Sequence, residues 1–170
     1  IERQQKLYAA TPGEWRGEAA NARMVLDGRA GTIARISCLE AMLWKWQASR
    51  YPMLTHPTEF GALILRSEGR VRIYLSSDDL VGQRFRGTIA ELMRKDIASG
   101  FRLVAHLHNH PFLFNRVVGD RMWTMEGTVG DVAGALAPSM TDVQFYRNLR
   151  ASLGLAEGWV TNGMESAHFV

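Results

Sequence analysis

The chain is predicted to fold as one mixed α/β domain, a sheet of parallel and antiparallel strands flanked by helices. Three observations carry that prediction. Apolar patterns of helical period alternate along the chain with short β-rich runs. Several of those runs are joined by turns too short for a crossover, so they must pair as hairpins rather than lie parallel. Finally, 170 residues with a hydrophobic fraction of 46% are enough to build a single core.

Residues 1–29 are weakly patterned and read as an N-terminal extension, with turns at Thr11-Pro12-Gly13 and Asp27-Gly28 and a short helix around Glu14 to Met24. The body runs from 30 to 170. Over Thr32 to Ser49, Ile33, Ile36, Leu39, Leu43 and Trp46 recur every three or four residues, which predicts a helix ended by Tyr51-Pro52. Phe60–Leu65 and Val71–Leu75 are β-rich and separated by Arg66-Ser67-Glu68-Gly69-Arg70, a hairpin with a loop longer than the two-residue minimum. Thr88 is the expected N-cap of the next helix, with Glu91 as its capping-box partner, Ile89, Leu92, Met93 and Ile97 as its apolar face, and Gly100 as its stop.

A strand over Phe101 to Leu107 follows, then a long connection over residues 112–137. Its aromatic and aliphatic content argues for packing over or beside a site, part of it as a hairpin, while Gly119, Gly127, Gly130 and Gly134 interrupt any long element. Pro138-Ser139-Met140-Thr141-Asp142 opens a last helix reaching about Leu153, with Val143, Tyr146, Leu149 and Leu153 in spacing. Trp159–Thr161 and Ala167–Val170 close the fold as short strands around Asn162-Gly163.

Composition excludes several functions. The net charge of +3 arises from 20 basic and 17 acidic residues with the signs mixed, and there is no dense basic patch of the kind nucleic-acid binding needs. No run of eighteen apolar residues exists, so no membrane-spanning helix is expected. A single cysteine, Cys38, forbids an internal disulfide and is expected to be a small buried hydrophobe. Lack of disulfides suits the cytoplasm without excluding export. The start at Ile1 rather than methionine reads as a processed or excised piece, which leaves localisation open.

The chemistry concentrates in Val104-Ala105-His106-Leu107-His108-Asn109-His110-Pro111, which holds three of the five histidines. Residues two apart on a strand share a side, so His108 and His110 present imidazoles to one point with His106 behind them. Neutral imidazoles are the usual nitrogen donors to zinc, although an H-x-H pair alone is also compatible with packed histidines. Asp142 in the first turn of the last helix adds a carboxylate. Ser139 as N-cap with Asp142 three residues on would account for that acid without any metal. As ligands, two nitrogens and one carboxylate leave a fourth position for water, the arrangement a hydrolytic zinc site requires. Glu59, just before the Phe60 strand, is the candidate base, and Glu126 in the long connection is its rival.

His108-x-His110-Pro111, followed by Ser139-x-x-Asp142 and preceded by Glu59 on a strand leading into glycine, resembles the JAMM (JAB1/MPN) metalloprotease motif. The order of elements is similar over roughly residues 32 to 163. The resemblance implies the MPN/JAB-like, cytidine-deaminase-like fold, a curved mixed sheet flanked by helices, with residues 30–170 as the catalytic domain. It implies Zn2+ held by His108, His110 and Asp142, Glu59 as the catalytic base, and Ser139 as a donor to the tetrahedral intermediate. His106 matches no ligand position and reads as a residue behind the ligands or in the wall of the cleft. The implied activity is hydrolysis of a peptide or isopeptide bond by metal-activated water. The implied substrate is a protein or peptide, ubiquitin-like modifiers included.

One departure stands out. Such proteins carry only a few residues between the His-Pro and the serine, whereas this chain has 27, Phe112 to Pro138, making 112–137 an inserted segment. The alternative reading is a noncatalytic MPN-like scaffold that binds a protein partner through that segment and the Trp44/Trp46 region.

Overall fold

A computed structural model describes residues 16–53, 58–80, 82–83, 85–110, 117–118, 121–122 and 136–170. The elements run α1 (Arg16–Leu26), β1 (Thr32–Arg35), α2 (Cys38–Arg50), β2 (Phe60–Ser67), β3 (Arg70–Ser77), α3 (Gly87–Ala98) and β4 (Arg102–Asn109). They continue with β5 (Val117–Val118), β6 (Arg121–Met122), α4 (Met140–Leu153), β7 (Glu157–Thr161) and β8 (Glu165–Phe169). The fold is mixed α/β: a six-stranded sheet in the order β1-β8-β7-β4-β2-β3, flanked by four helices. Only β4 and β7 are parallel, joined through the long connection and α4; every other pair is antiparallel. Among the described residues no helix is long and apolar enough to cross a membrane.

Two apolar layers cover the sheet. On one face Leu43 of α2 packs with Phe60, Ala62, Ile64, Ala105 and Leu107. On the other, Met93 of α3 packs with Leu63, Leu65, Leu103 and Leu155, against the partly buried Leu149 and Leu153 of α4. A third cluster joins Val25 of α1 to Val160, Ala167 and Phe169. Leu103 lies in the α3/α4 layer whereas Ala105 and Leu107 lie in the α2 layer, although strict alternation would keep all three together. The cause is a register shift: Ile64 pairs with Ala105 but Leu65 pairs with Leu103, leaving Val104 as an extra residue on β4. Beyond that bulge His106 and His108 point to the α4 side.

Several expectations need correction. The helix expected over Thr32 to Ser49 begins only at Cys38, because Thr32–Arg35 pairs antiparallel with β8 as an edge strand. The capping box of Ser37 and Glu40 starts the helix: Ser37 N donates to Glu40 Oε2 at 2.6 Å and Glu40 N to Ser37 Oγ at 3.3 Å. Ile33 is therefore exposed on the sheet edge, and Trp46 faces outward at 55% exposure instead of lining an apolar face. Cys38, expected buried, is exposed, since the first turn of α2 turns it outward.

The β2–β3 hairpin is tighter than expected. Ser67 pairs with Arg70 across Glu68-Gly69 alone, made possible by the positive φ (65°) of Gly69. Helix α3 is capped by Arg86 through backbone alone rather than by Thr88 with Glu91, and its Leu92 is exposed. The strand expected to end at Leu107 continues to Asn109. Of the 112–137 connection, β5 and β6 pair as a two-residue hairpin; Glu126 and the aromatic residues expected to cover the site lie outside the described residues.

Candidate metal centre

Strand β4 delivers the histidines and α4 the carboxylate. His108 Nε2 and His110 Nε2 are 3.1 Å apart; Asp142 Oδ1 lies 3.3 Å from the first and Oδ2 3.2 Å from the second. The structure thus brings together the three expected ligands, and among the described residues no other trio of histidine, cysteine and acid groups converges in this way. A tetrahedral zinc with bonds of about 2.0–2.1 Å separates its ligands by about 3.3–3.4 Å, which the observed triangle approaches. Two imidazole lone pairs at 3.1 Å would repel unless a proton or cation lay between them, so the donor set fits a divalent cation. His108 is fully buried, while His110 and Asp142 retain about 15% exposure and leave one side of the triangle facing outward.

Asp142 is aimed by its own helix. Ser139 N donates to Asp142 Oδ2 at 2.7 Å, Ser139 Oγ donates to the same oxygen at 2.7 Å, and Asp142 N donates back to Ser139 Oγ at 3.1 Å. The capping box and the ligand position are therefore one arrangement rather than competing explanations. Burial opposes charge on Asp142, but the two imidazoles outweigh it and hold the carboxyl well below the usual range. The single proton of the Ser139 hydroxyl is engaged with Asp142.

Glu59 precedes β2 and is held there by buried polar groups. Its N–H donates to Leu80 O at 2.8 Å. Asn109, the residue between His108 and His110, points to the opposite face and clips both neighbours of Glu59: its Oδ1 accepts from Phe60 N at 2.7 Å and its Nδ2 donates to Thr58 O at 3.0 Å. Gln47 of α2 secures Thr58 Oγ1 at 2.7 Å. Burial pushes the Glu59 carboxyl up, against the pull of His110 and His108 and with the help of Asp142; the Gly82 N–H donates to its charged form. That coupling puts the carboxyl in the field of the triangle, and a raised pKa suits a general base.

The glycines beside the histidine strand have matching purposes. Gly61 pairs with His108 and Gly158 with His106. A Cβ on Gly61 would stand 2.0 Å from Gln83 Oε1, and one on Gly158 would stand 2.5 Å from the Tyr146 ring. Both neighbours reach the histidines through the space left open: Gln83 Oε1 lies 2.6 Å from His106 Nε2, and Tyr146 Oη lies 3.2 Å from His108 Nδ1. Burial foremost, then the charges of Asp142 and Glu59, push the Tyr146 pKa well up, so it stays a neutral phenol. It can accept a hydrogen bond from Nδ1–H of His108, leaving the Nε2 lone pair for a cation.

His106, expected behind the ligands or in the cleft wall, stacks on His108 at 5.4 Å and reaches no open surface. It is fully buried between Phe145 (4.9 Å) and Phe85 (6.0 Å), and burial keeps its pKa well below that of a free imidazole. Sequence reasoning passed over Asn109, Gln83 and the hydroxyl of Tyr146. Glycines inside strand patterns were the one available sign that something approaches closely there.

No family model, no curated protein and no solved structure matches this chain. The functional reading therefore stands on the site itself.

Proposed function

We propose that this protein is a zinc-dependent hydrolase of peptide or isopeptide bonds with a JAMM-type site on an MPN/JAB-like fold. The observation that carries the reading is the closed triangle of His108, His110 and Asp142. The fixed order of these residues along the chain, glutamate, paired histidines, then serine and aspartate, supports it further.

Zinc, when bound, supplies Lewis-acid polarisation of the scissile carbonyl and acidifies a water. Glu59 accepts the proton of the attacking water and passes it to the leaving amine, a task its raised pKa and its pinned backbone favour. Ser139 first orients Asp142 and then, with its hydroxyl turned to the substrate, donates to the developing oxyanion; loss of such a donor typically costs about 3–4 kcal/mol in the transition state. Tyr146 and Asn109 act by position: the phenol sets the proton on His108, and the amide holds the segment that carries Glu59.

Two measurements test this. Purified protein should carry about one zinc per chain, and Glu59→Gln should keep that zinc and the fold while losing turnover on peptide and modifier-fusion substrates. Substantial hydrolysis by Glu59→Gln defeats the assigned base. The competing scaffold reading draws on Met42 and Trp46, which lie one helical turn apart on α2 and are 56% and 55% exposed. Protein without zinc after careful handling favours that reading.

A further inference from the structure

Tyr146 lines a second space besides the metal centre. A cavity of about 350 Å³ opens between α1, α4 and the end of β8, and none of His108, His110 and Asp142 lines it. Its buried floor is apolar, formed by Val25, Leu155 and Phe169. Its rim is cationic, with exposed Arg29, Arg147 and Arg150.

The charges of the rim are unevenly answered. Arg29 is paired with Asp27 at 3.3 Å. Glu157 is the one acid in the lining among the described residues, and its carboxylate accepts from Trp159 Nε1 at 2.7 Å. Arg147 and Arg150 stand three residues apart on one face of α4, and neither has an acidic partner among the described residues. Two neighbouring guanidinium groups at the mouth of an apolar cavity form a fork for a carboxylate whose body is apolar.

We propose that this cavity binds a small amphiphilic carboxylate, with its head between Arg147 and Arg150 and its apolar body against Val25, Leu155 and Phe169. The volume sits at the small end of ligand sites, about 300–1,000 Å³, and suits a medium-chain fatty carboxylate. The proposal does not depend on the hydrolase reading. Because the Tyr146 ring is shared, a ligand here also touches the group that holds His108.

Calorimetric titration with octanoate tests it, with octanol and octylammonium as probes of the same length. Octanoate should bind once per chain at submillimolar concentration and at least tenfold more tightly than either control. The ring signals of Tyr146 and His108 in nuclear magnetic resonance spectra should move with occupancy. The double change Arg147→Gln with Arg150→Gln should weaken octanoate at least tenfold, and Val143→Trp, which fills the space from α4, should abolish binding. The arginine variant alters only exposed positions, so it decides the matter even if the tryptophan variant fails to fold. Absence of octanoate binding, octanol binding as tightly as octanoate, unchanged affinity in the arginine variant, or saturation without movement of the Tyr146 signals would each overturn the proposal.

Discussion

Helices α2 and α4 begin with the same device: Ser37 caps Glu40, and Ser139 caps Asp142, each acid standing three residues after its serine. Each acid also faces an imidazole of the sheet. Glu40 lies 3.6 Å from His168 Nε2, and Asp142 lies 3.3 and 3.2 Å from His108 and His110. The surroundings differ. His168 is stacked on Trp159 at 4.4 Å with the rings nearly parallel, it joins no metal-binding trio among the described residues, and Glu40 is 1% exposed. His108 and His110 come as a pair on one strand, and their carboxylate keeps an opening to the outside. A capping box therefore delivers an acid to the sheet but does not make a site. The second imidazole, two residues along the same strand, turns an ion pair into a donor set.

The sharpest way to break this comparison is to remove one acid at a time and measure bound zinc by elemental analysis. Asp142→Ala should drop zinc from about one per chain to almost none, while Glu40→Gln should leave it near one. Equal loss from both would mean that the two boxes serve the same end.

Asn109→Ala should come next in size. It strands the Phe60 N–H and the Thr58 carbonyl inside the protein, at about 1–3 kcal/mol of stability in chemical denaturation. It should also lower turnover more than zinc content, since it loosens Glu59 and not the ligands. Tyr146→Phe removes the partner of His108 Nδ1 and should weaken zinc about 10–100-fold in a chelator competition. Gly158→Ala should mimic it by displacing the ring.

The smallest effect on the metal centre belongs to Glu40, whose role is in stability. Burial works to raise its pKa, and His168, Ser166 and Ser37 together bring it from 4.5 down to about 2. A carboxyl with a depressed folded pKa contributes stability above its unfolded value and loses it as pH falls through the folded one. Glu40→Gln should therefore cost about 3 kcal/mol at neutral pH. Denaturation curves should show that difference fading between pH 4.5 and about 2.

Much of this architecture could be read from periodicity and turn chemistry. The β2–β3 hairpin, helix α3, strand β4, helix α4 and the two closing strands lie near their expected places because each carries a local pattern. Thr32–Arg35 went the other way. Its apolar spacing also fits a helix, and pairing with β8 together with the Ser37 cap decided against that. The exposure of Cys38 follows from that later start of α2, and that of Trp46 from the helix burying its Glu40, Leu43 and Gln47 face instead. The five residues expected to form the site were marked by residue type and spacing, whereas Asn109, Gln83 and Tyr146 were not, since an amide or phenol has no distinctive spacing until its partner is located.

By itself the amino-acid sequence determined which donors exist and in which order: a glutamate before a strand, imidazoles two residues apart, and a serine-capped aspartate on a helix. Whether they meet was decided by tertiary structure. The extra residue on β4 turns His106 and His108 toward α4, the parallel docking of β7 on β4 helps set α4 against that side of the sheet, and glycines 61 and 158 admit Gln83 and Tyr146. The physical reason is that side-chain direction on a strand depends on parity, and one unpaired residue reverses it without a trace in composition or hydrophobic pattern.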